Sequence, residues 1–186
     1  MGRLIYSCNV SLDGYATDAE GSFEWSQPDE QVHAYIADVI RPMGTHLYGR
    51  RMYEVMSFWE TVDDPDPFMV DFAQLWQAAE KVVYSRMLTE TSTARSRIER
   101  DFDVAAVRAL VEASDTDVLI GGPELAGQAL AAGLVDEIHT FAHPILIGGG
   151  ARWLPDGVRV DLELVDEHRF GGVVHLHHRV ARTDVR

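Results

Sequence analysis

Residues 117–150, DVLIGGPELAGQALAAGLVDEIHTFAHPILIGGG, constrain the fold more than any other part of the chain. An apolar run of strand length stops at Gly121-Gly122. Pro123 stands where a first helical turn accepts it, and apolar residues recur at helical spacing as far as Gly133. A second β-rich run then heads toward Pro144. Two strands joined by a helix run parallel in one sheet, and parallel sheets need helices on both faces.

The rest of the chain keeps this alternation. RLIYSCNV at 3–10 reads as a strand that ends in a long Gly- and Asp-punctuated loop, SLDGYATDAEGSFEW. Pro28 at a first helical position, followed by Asp29, Glu30 and apolar residues out to Ile40, predicts a helix that Pro42 and Gly44 stop. THLYG at 45–49 is a strand running directly into a short helix at RRMYEVMSFW. DDPDP at 63–67 is a loop, and Phe68 to Ala79 a helix. KVVYS at 81–85 is a third strand, RSRIERDF near 96–102 alternates weakly as a fourth, and 103–113 is an amphipathic helix. VDLELVDEHRF and GVVHLHHRV, joined through Gly171-Gly172, predict a closing antiparallel hairpin. The expectation is one α/β domain over 1–186: a twisted, mostly parallel mixed sheet with a C-terminal hairpin, flanked by helices.

Composition narrows the function. A single cysteine, Cys8, excludes a disulfide framework and a Cys-rich zinc site, which points to a reducing cytosol. A net charge of -14 argues against nucleic-acid binding, because that affinity comes from basic charge on phosphates. No run approaches the roughly 18 apolar residues a membrane helix needs, and the start resembles no secretion signal. A soluble cytoplasmic protein acting on a small molecule is expected, with no membrane or nucleic-acid partner. Lys81 is the only lysine among sixteen basic residues.

Two strand-to-helix junctions stand out, since such junctions lie at the strands' carboxyl ends, where ligands of α/β sheets bind. At LYGRRMYE, Gly49 makes the turn and Arg50 and Arg51 open the helix, where the helix dipole and the guanidinium groups favour an anion. At VLIGGPELAG, Gly121 and Gly122 let backbone approach a ligand closely. With Arg86 after the third strand, these cations could form a local phosphate site, as charges beyond a Debye length of roughly 8 Å are screened. The plainer alternative makes the glycines turn formers and the arginines solvated. No Gly-x-Gly-x-x-Gly or P-loop sequence is present. His175 and His177 share a strand face and could chelate a metal, but no third ligand is visible, so a hydrogen-bonded strand face is favoured and no metal is expected. Cys8, Trp59, Trp76 and Trp153 read as packing.

SLDGYA at 11–16, LYGRRMYE at 47–54, VVYSR at 82–86, IGGPELAGQAL at 120–130 and GLVDEIHTFAHPILIGGG at 133–150 together resemble the dihydrofolate reductase-like superfamily, and within it the reductase domain of bacterial riboflavin biosynthesis. The resemblance implies a homodimeric NADPH-dependent reductase of a flat heterocycle, with 5-amino-6-(5-phosphoribosylamino)uracil reductase-type chemistry one form of it. It implies that Gly49, Arg50 and Arg51 meet the cofactor phosphates and that Ser85 and Arg86 lie near the 2'-phosphate. Gly121 and Gly122 would be the pair whose peptide is cis in dihydrofolate reductases, with Pro123, Glu124 and Leu125 facing the pyrophosphate. Asp13 and Gly14 would cover the nicotinamide. Trp25, Pro28 and Glu30 match the Trp-x-x-Pro-x-acid spacing of dihydrofolate reductases. A Glu30 in an apolar cleft could then hold the substrate and help deliver a proton, alone or through water ordered by Asp13. The alternative is that Asp29 and Glu30 only favour the helix start. Riboflavin-pathway reductases carry Lys where this chain has Ser7, and an Asp-Asn-Pro-x-Leu-Thr run whose nearest match here is DDPDP. No deaminase motif is present. A noncatalytic ligand-binding protein that keeps the fold is the competing reading.

Overall fold

The computed structural model describes residues 1–181. The strands are β1 (Leu4–Ser11), β2 (Tyr15–Thr17), β3 (Met43–Gly49), β4 (Glu80–Tyr84), β5 (Ser96–Glu99), β6 (Asp117–Gly121), β7 (Glu137–His143), β8 (Ala151–Arg152), β9 (Leu162–Phe170) and β10 (Val173–Val180). The helices are α1 (Glu30–Ile40), α2 (Arg50–Met56), α3 (Pro67–Ala78), α4 (Val104–Ala113) and α5 (Pro123–Ala131). Eight strands form one sheet in the order β5-β4-β3-β6-β1-β7-β10-β9. β5 to β7 run parallel, and β10 and β9 close the sheet antiparallel. The mixed sheet is therefore as the sequence predicts. The little β2–β8 ladder is new: β2 falls in a stretch that reads as loop, and no element is predicted at 151–152.

Alternation along the strands separates two apolar layers. Leu4, Tyr6, Leu47, Val82, Val118, Ile120 and Ile138 pack with α4 and α5 on one face. Ile5, Met43, Tyr48, Val83 and Leu119 pack with α1 and α3 on the other, around a fully buried Trp76. Each such side chain contributes on the order of 1.5–3 kcal/mol on leaving water. The charged edge strand β9 is exposed along nearly its whole length, and its Glu163, Asp166, Glu167 and Arg169 guard the open edge.

Helix ends follow their caps. Asp29, not Pro28, sets the start of α1: its carboxylate accepts the Val32 N–H at 2.9 Å, so Pro28 precedes the cap and Glu30 is the first helical residue. Asp103 caps α4 through the N–H groups of Ala105 and Ala106. Lys81 is buried at the far end of α3, donating to the carbonyls of Trp76 and Gln77 with its ammonium 4.4 Å from the centre of the Trp76 ring. β4 and β5 are parallel neighbours joined without a helix. Arg100 braces their connecting loop by donating to the carbonyls of Ser85 and Leu88, and the Tyr53 hydroxyl accepts the N–H groups of Ser92 and Thr93.

Candidate active site

Because β4, β3, β6, β1 and β7 are parallel neighbours, their carboxyl ends bring Ser85-Arg86, Gly49-Arg51, Gly121-Leu125 and the 12–14 loop onto one edge, roughly 4.8 Å per strand apart. Tyr48 pairs with Gly121 and Gly49 with Tyr84, so the two predicted junctions are adjacent. A Cβ placed on Gly122 would lie 3.5 Å from the Cβ of Met52 in α2.

The β6–α5 junction is closed and shaped by glycine. A Cβ at Gly121 would meet a Tyr48 ring carbon at 2.9 Å, and Gly122 caps α5 at φ +93°. No peptide among the described residues is cis, so the cis Gly121–Gly122 bond implied by the resemblance is corrected to trans. The positive φ of Gly122, which glycine adopts without a Cβ penalty, makes the turn instead. No side chain caps α5. Pro123 has no N–H, so the first backbone donors of α5 belong to Glu124 and Leu125, with the Leu125 side chain buried in the core and that of Glu124 facing solvent.

The β3–α2 junction is open. Gly49 has an ordinary φ of -72° and nothing within 4 Å of a would-be Cβ. Arg50 pairs with Glu54 at 2.8 Å along α2, and Arg51 is exposed. Arg86 is exposed and held by Asp101, its Nε 2.8 Å from the carboxylate. Exposed pairs of this kind are worth about 0–1 kcal/mol, so a phosphate can recruit either guanidinium. Ser85 is buried, its hydroxyl accepting the N–H groups of Met87 and Leu88, which shapes the loop that presents Arg86.

Asp13 is a clamp. Its carboxylate accepts the N–H groups of Ile147 at 3.2 Å and Gly148 at 2.7 Å, while the Leu12 N–H reaches the Ile145 carbonyl. A hydrogen bond from Ser11, with those of Gly148 and Ile147, holds its carboxyl below the usual range. PILIGGG is thereby stitched to the 12–14 loop, and Gly150 abuts the Thr17 backbone so closely that a Cβ would clash at 1.9 Å. Glu30 does not lie in an apolar cleft. The packed face of α1 begins at Val32 and His33, and Glu30 in the turn before them is solvent-exposed.

Sequence reasoning missed one group at this edge. His143 ends β7, buried, with Nε2 3.0 Å from the Asn9 side-chain oxygen and Trp25 edge-on at 5.7 Å. Desolvation pushes the His143 pKa down. The Trp25 indole N–H is buried without a partner among the described residues, a donor aimed at no protein acceptor. A polar residue at the carboxyl end of a central strand was the available signal. Cys8 is partly buried against the core, and desolvation pushes its thiol up to about 11.

Uncapped backbone donors, glycines that allow close approach, and three arginines on one edge fit the diphosphate and extra phosphate of a nicotinamide dinucleotide. A mostly parallel sheet covered on both faces, with such a site at its carboxyl edge, places the protein in the class of α/β nucleotide-binding folds. Residues 3–176 match the RibD C-terminal domain, and the chain belongs to that family. YyaP, an uncharacterized protein of Bacillus subtilis (strain 168), is 28% identical over 181 residues, spanning 94% of this chain and 93% of its own length. Two solved structures share the fold. A protein of Shewanella sp. PV-4, provisionally assigned to riboflavin biosynthesis, aligns with a TM-score of 0.75 at 19% identity over 97% of this chain and 99% of its own. A pyrimidine reductase-like protein of Corynebacterium diphtheriae aligns with a TM-score of 0.72 at 14% identity over 97% and 92%. Among the described residues, no helix is long and apolar enough to cross a membrane.

Proposed function

We propose that this protein is an NADPH-dependent reductase that passes a hydride to an electron-poor C=N or C=O carbon of a small heterocyclic substrate. The observation that carries the reading is the convergence of two glycine-opened junctions and three arginines on adjacent strand ends. NADPH, when bound, supplies the hydride. The chain's own residues bind and orient. The Glu124 and Leu125 N–H groups and the bare backbone of Gly122 receive the diphosphate, and Arg50, Arg51 and Arg86 the 2'-phosphate. Asp13, committed to Ile147 and Gly148, fixes the loop over the nicotinamide and does not serve as an acid. Glu30, in contact with water at the start of α1, relays the proton from solvent. Trp25 and His143 offer a donor and a ring nitrogen for orienting a polar ring.

Titration of the purified protein with NADPH and NADH tests the binding half. A screen of dihydrofolate, aminouracil ribosyl phosphate, quinones and small aldehydes for NADPH oxidation tests the chemistry. A second reading, a binding protein without turnover, is favoured by the exposure of Glu30 and the engagement of Asp13. Tight NADPH binding with no oxidation of it across that screen would select it.

A further inference from the structure

Away from the carboxyl edge, β7 and β10 bring together polar groups that the proposed reductase does not use. His177 lies directly opposite His139 in the antiparallel register, and Glu137 is two residues before His139 on the same face. One ligand atom from each of Glu137, His139 and His177 falls within 4.8 Å of the others. Glu137 and His139 are buried, while His177 is partly open to solvent. We infer that these three residues form a binding site for a divalent transition ion of the zinc type, which pins the closing hairpin to the parallel sheet.

Two imidazoles and a carboxylate are a donor set such ions accept, with the remaining positions left to water. The surroundings resemble the outer sphere of a metal centre. The Nδ1 of His139 is 3.0 Å from His175 Nε2, and His175 Nδ1 is in turn 3.3 Å from the Tyr35 hydroxyl, a chain that fixes the His139 ring and leaves its Nε2 as the ligand atom. Arg3 holds the other oxygen of Glu137 at 2.6 Å, so the carboxylate offers Oε2 alone. That Oε2 lies 2.9 Å from His177 Nε2, and an ion would replace the hydrogen between them. The His139 and His177 rings stack at 4.1 Å and 16°, so convergence on one ion requires His177, the partly exposed member, to turn. The sequence shows His175 and His177 but conceals the third ligand, because only strand pairing brings Glu137 and His139 alongside. His175 takes the place behind His139, not a place on the ion.

The test is titration of the metal-free protein with Zn(II) by calorimetry and with Co(II) by absorption spectroscopy. One ion per chain is expected, with the intense visible bands of low-coordinate Co(II) and a melting temperature that rises with zinc. His177→Ala, at a partly exposed position, should remove the stoichiometric site and the zinc-dependent rise while melting cooperatively on its own. Tyr35→Phe should weaken zinc about tenfold if the His139–His175–Tyr35 chain orients the ligand. Absence of Co(II) bands in the wild-type protein, or a His177→Ala variant that binds zinc as the parent does, overturns the proposal. NADPH titration of the same samples reads the reductase site separately, so either assignment can fail alone.

Discussion

Gly49 and Gly121-Gly122 end neighbouring strands and open neighbouring helices, yet the protein places different demands on them. At β6–α5 the glycines are required by the fold: Tyr48 fills the space a Gly121 side chain would need, and Gly122 sits at a φ that other residues avoid. At β3–α2 the demand is weak: the φ is ordinary and the space beside the glycine is open, so only the N-cap position of α2, which prefers glycine to alanine, accounts for it. One junction is a packed hinge point of the core, and the other is a bare surface facing the cleft. The difference teaches that a glycine at a strand end identifies a ligand contact only when packing does not already account for it.

The largest effect should come from breaking the closed junction. Gly121→Ala forces a methyl against the Tyr48 ring, which is fully buried and tied by its hydroxyl to His46 at 2.9 Å, so about 1–3 kcal/mol of stability should be lost. Gly122→Ala makes only an ordinary contact with Met52 but holds a Cβ at φ +93° and ψ 127°, outside the left-handed helical well, costing roughly 1–3 kcal/mol. Denaturant unfolding measures both. A Gly121→Ala variant as stable as the parent would show that the Tyr48 ring yields and that the junction is not closed.

Acid should loosen the same junction. His46, fully buried, has its pKa pushed down to about 4, first by burial, with the Lys81 charge acting in the same sense and a hydrogen bond to the Met43 carbonyl opposing it. In the unfolded chain the imidazole takes up a proton near its ordinary 6.5, whereas the native state resists until about 4. Protons therefore favour unfolding across that window. The contribution of neutral His46 is intact above the unfolded value and is lost as pH falls, at up to about 1.4 kcal/mol per unit. Unfolding curves from neutral pH down to about 5 should show this slope on top of that of the other desolvated histidines, and His46→Gln should reduce it by up to about one proton's share. An unchanged slope in the variant would move the acid sensitivity to other histidines.

Strand alternation, caps and the glycine turns made most of the succession of strands and helices legible in the sequence, because each rests on local spacing, whereas the strand order in the sheet was not predicted. The β2–β8 ladder was not legible, since three- and two-residue strands carry too few alternations. The site was readable as a set of junctions, but not in its bonding. Nothing local reveals that Asp13 would be consumed by Ile147 and Gly148, more than a hundred residues on. His143 and the Glu137–His139–His177 group escaped for the same reason: their partners come from pairing between distant strands. The start of α1 is different, since Asp29 three residues before Val32 is a local cap signal, overshadowed in the sequence by Pro28.

The open junction should respond in ligand binding and hardly at all in stability. Arg50→Ala removes an exposed pair with Glu54, a change of about 0.5 kcal/mol or less in unfolding. If Arg50 reads the 2'-phosphate, however, the variant should weaken NADPH by about tenfold or more while sparing NADH, as expected for losing a charge-assisted hydrogen bond. Equal loss for both coenzymes would reassign Arg50 to the shared diphosphate.

The smallest effect on the fold, and the sharpest on the comparison, belongs to Gly49→Ala. Its φ of -72° suits alanine and no atom lies within 4 Å of the new methyl; the poorer N-cap that alanine makes for α2 and the lower entropy it gives the unfolded chain oppose each other, so unfolding should shift by less than about 0.5 kcal/mol. The methyl instead occupies the space through which a phosphate would approach the backbone. Coenzyme affinity should therefore fall while stability holds, the reverse of Gly121→Ala, whose damage is to the fold. If Gly49→Ala binds NADPH as well as the parent does, the phosphates do not pass that close to β3, and the nucleotide must lie toward β6 and β1, with the α5 donors carrying the diphosphate alone.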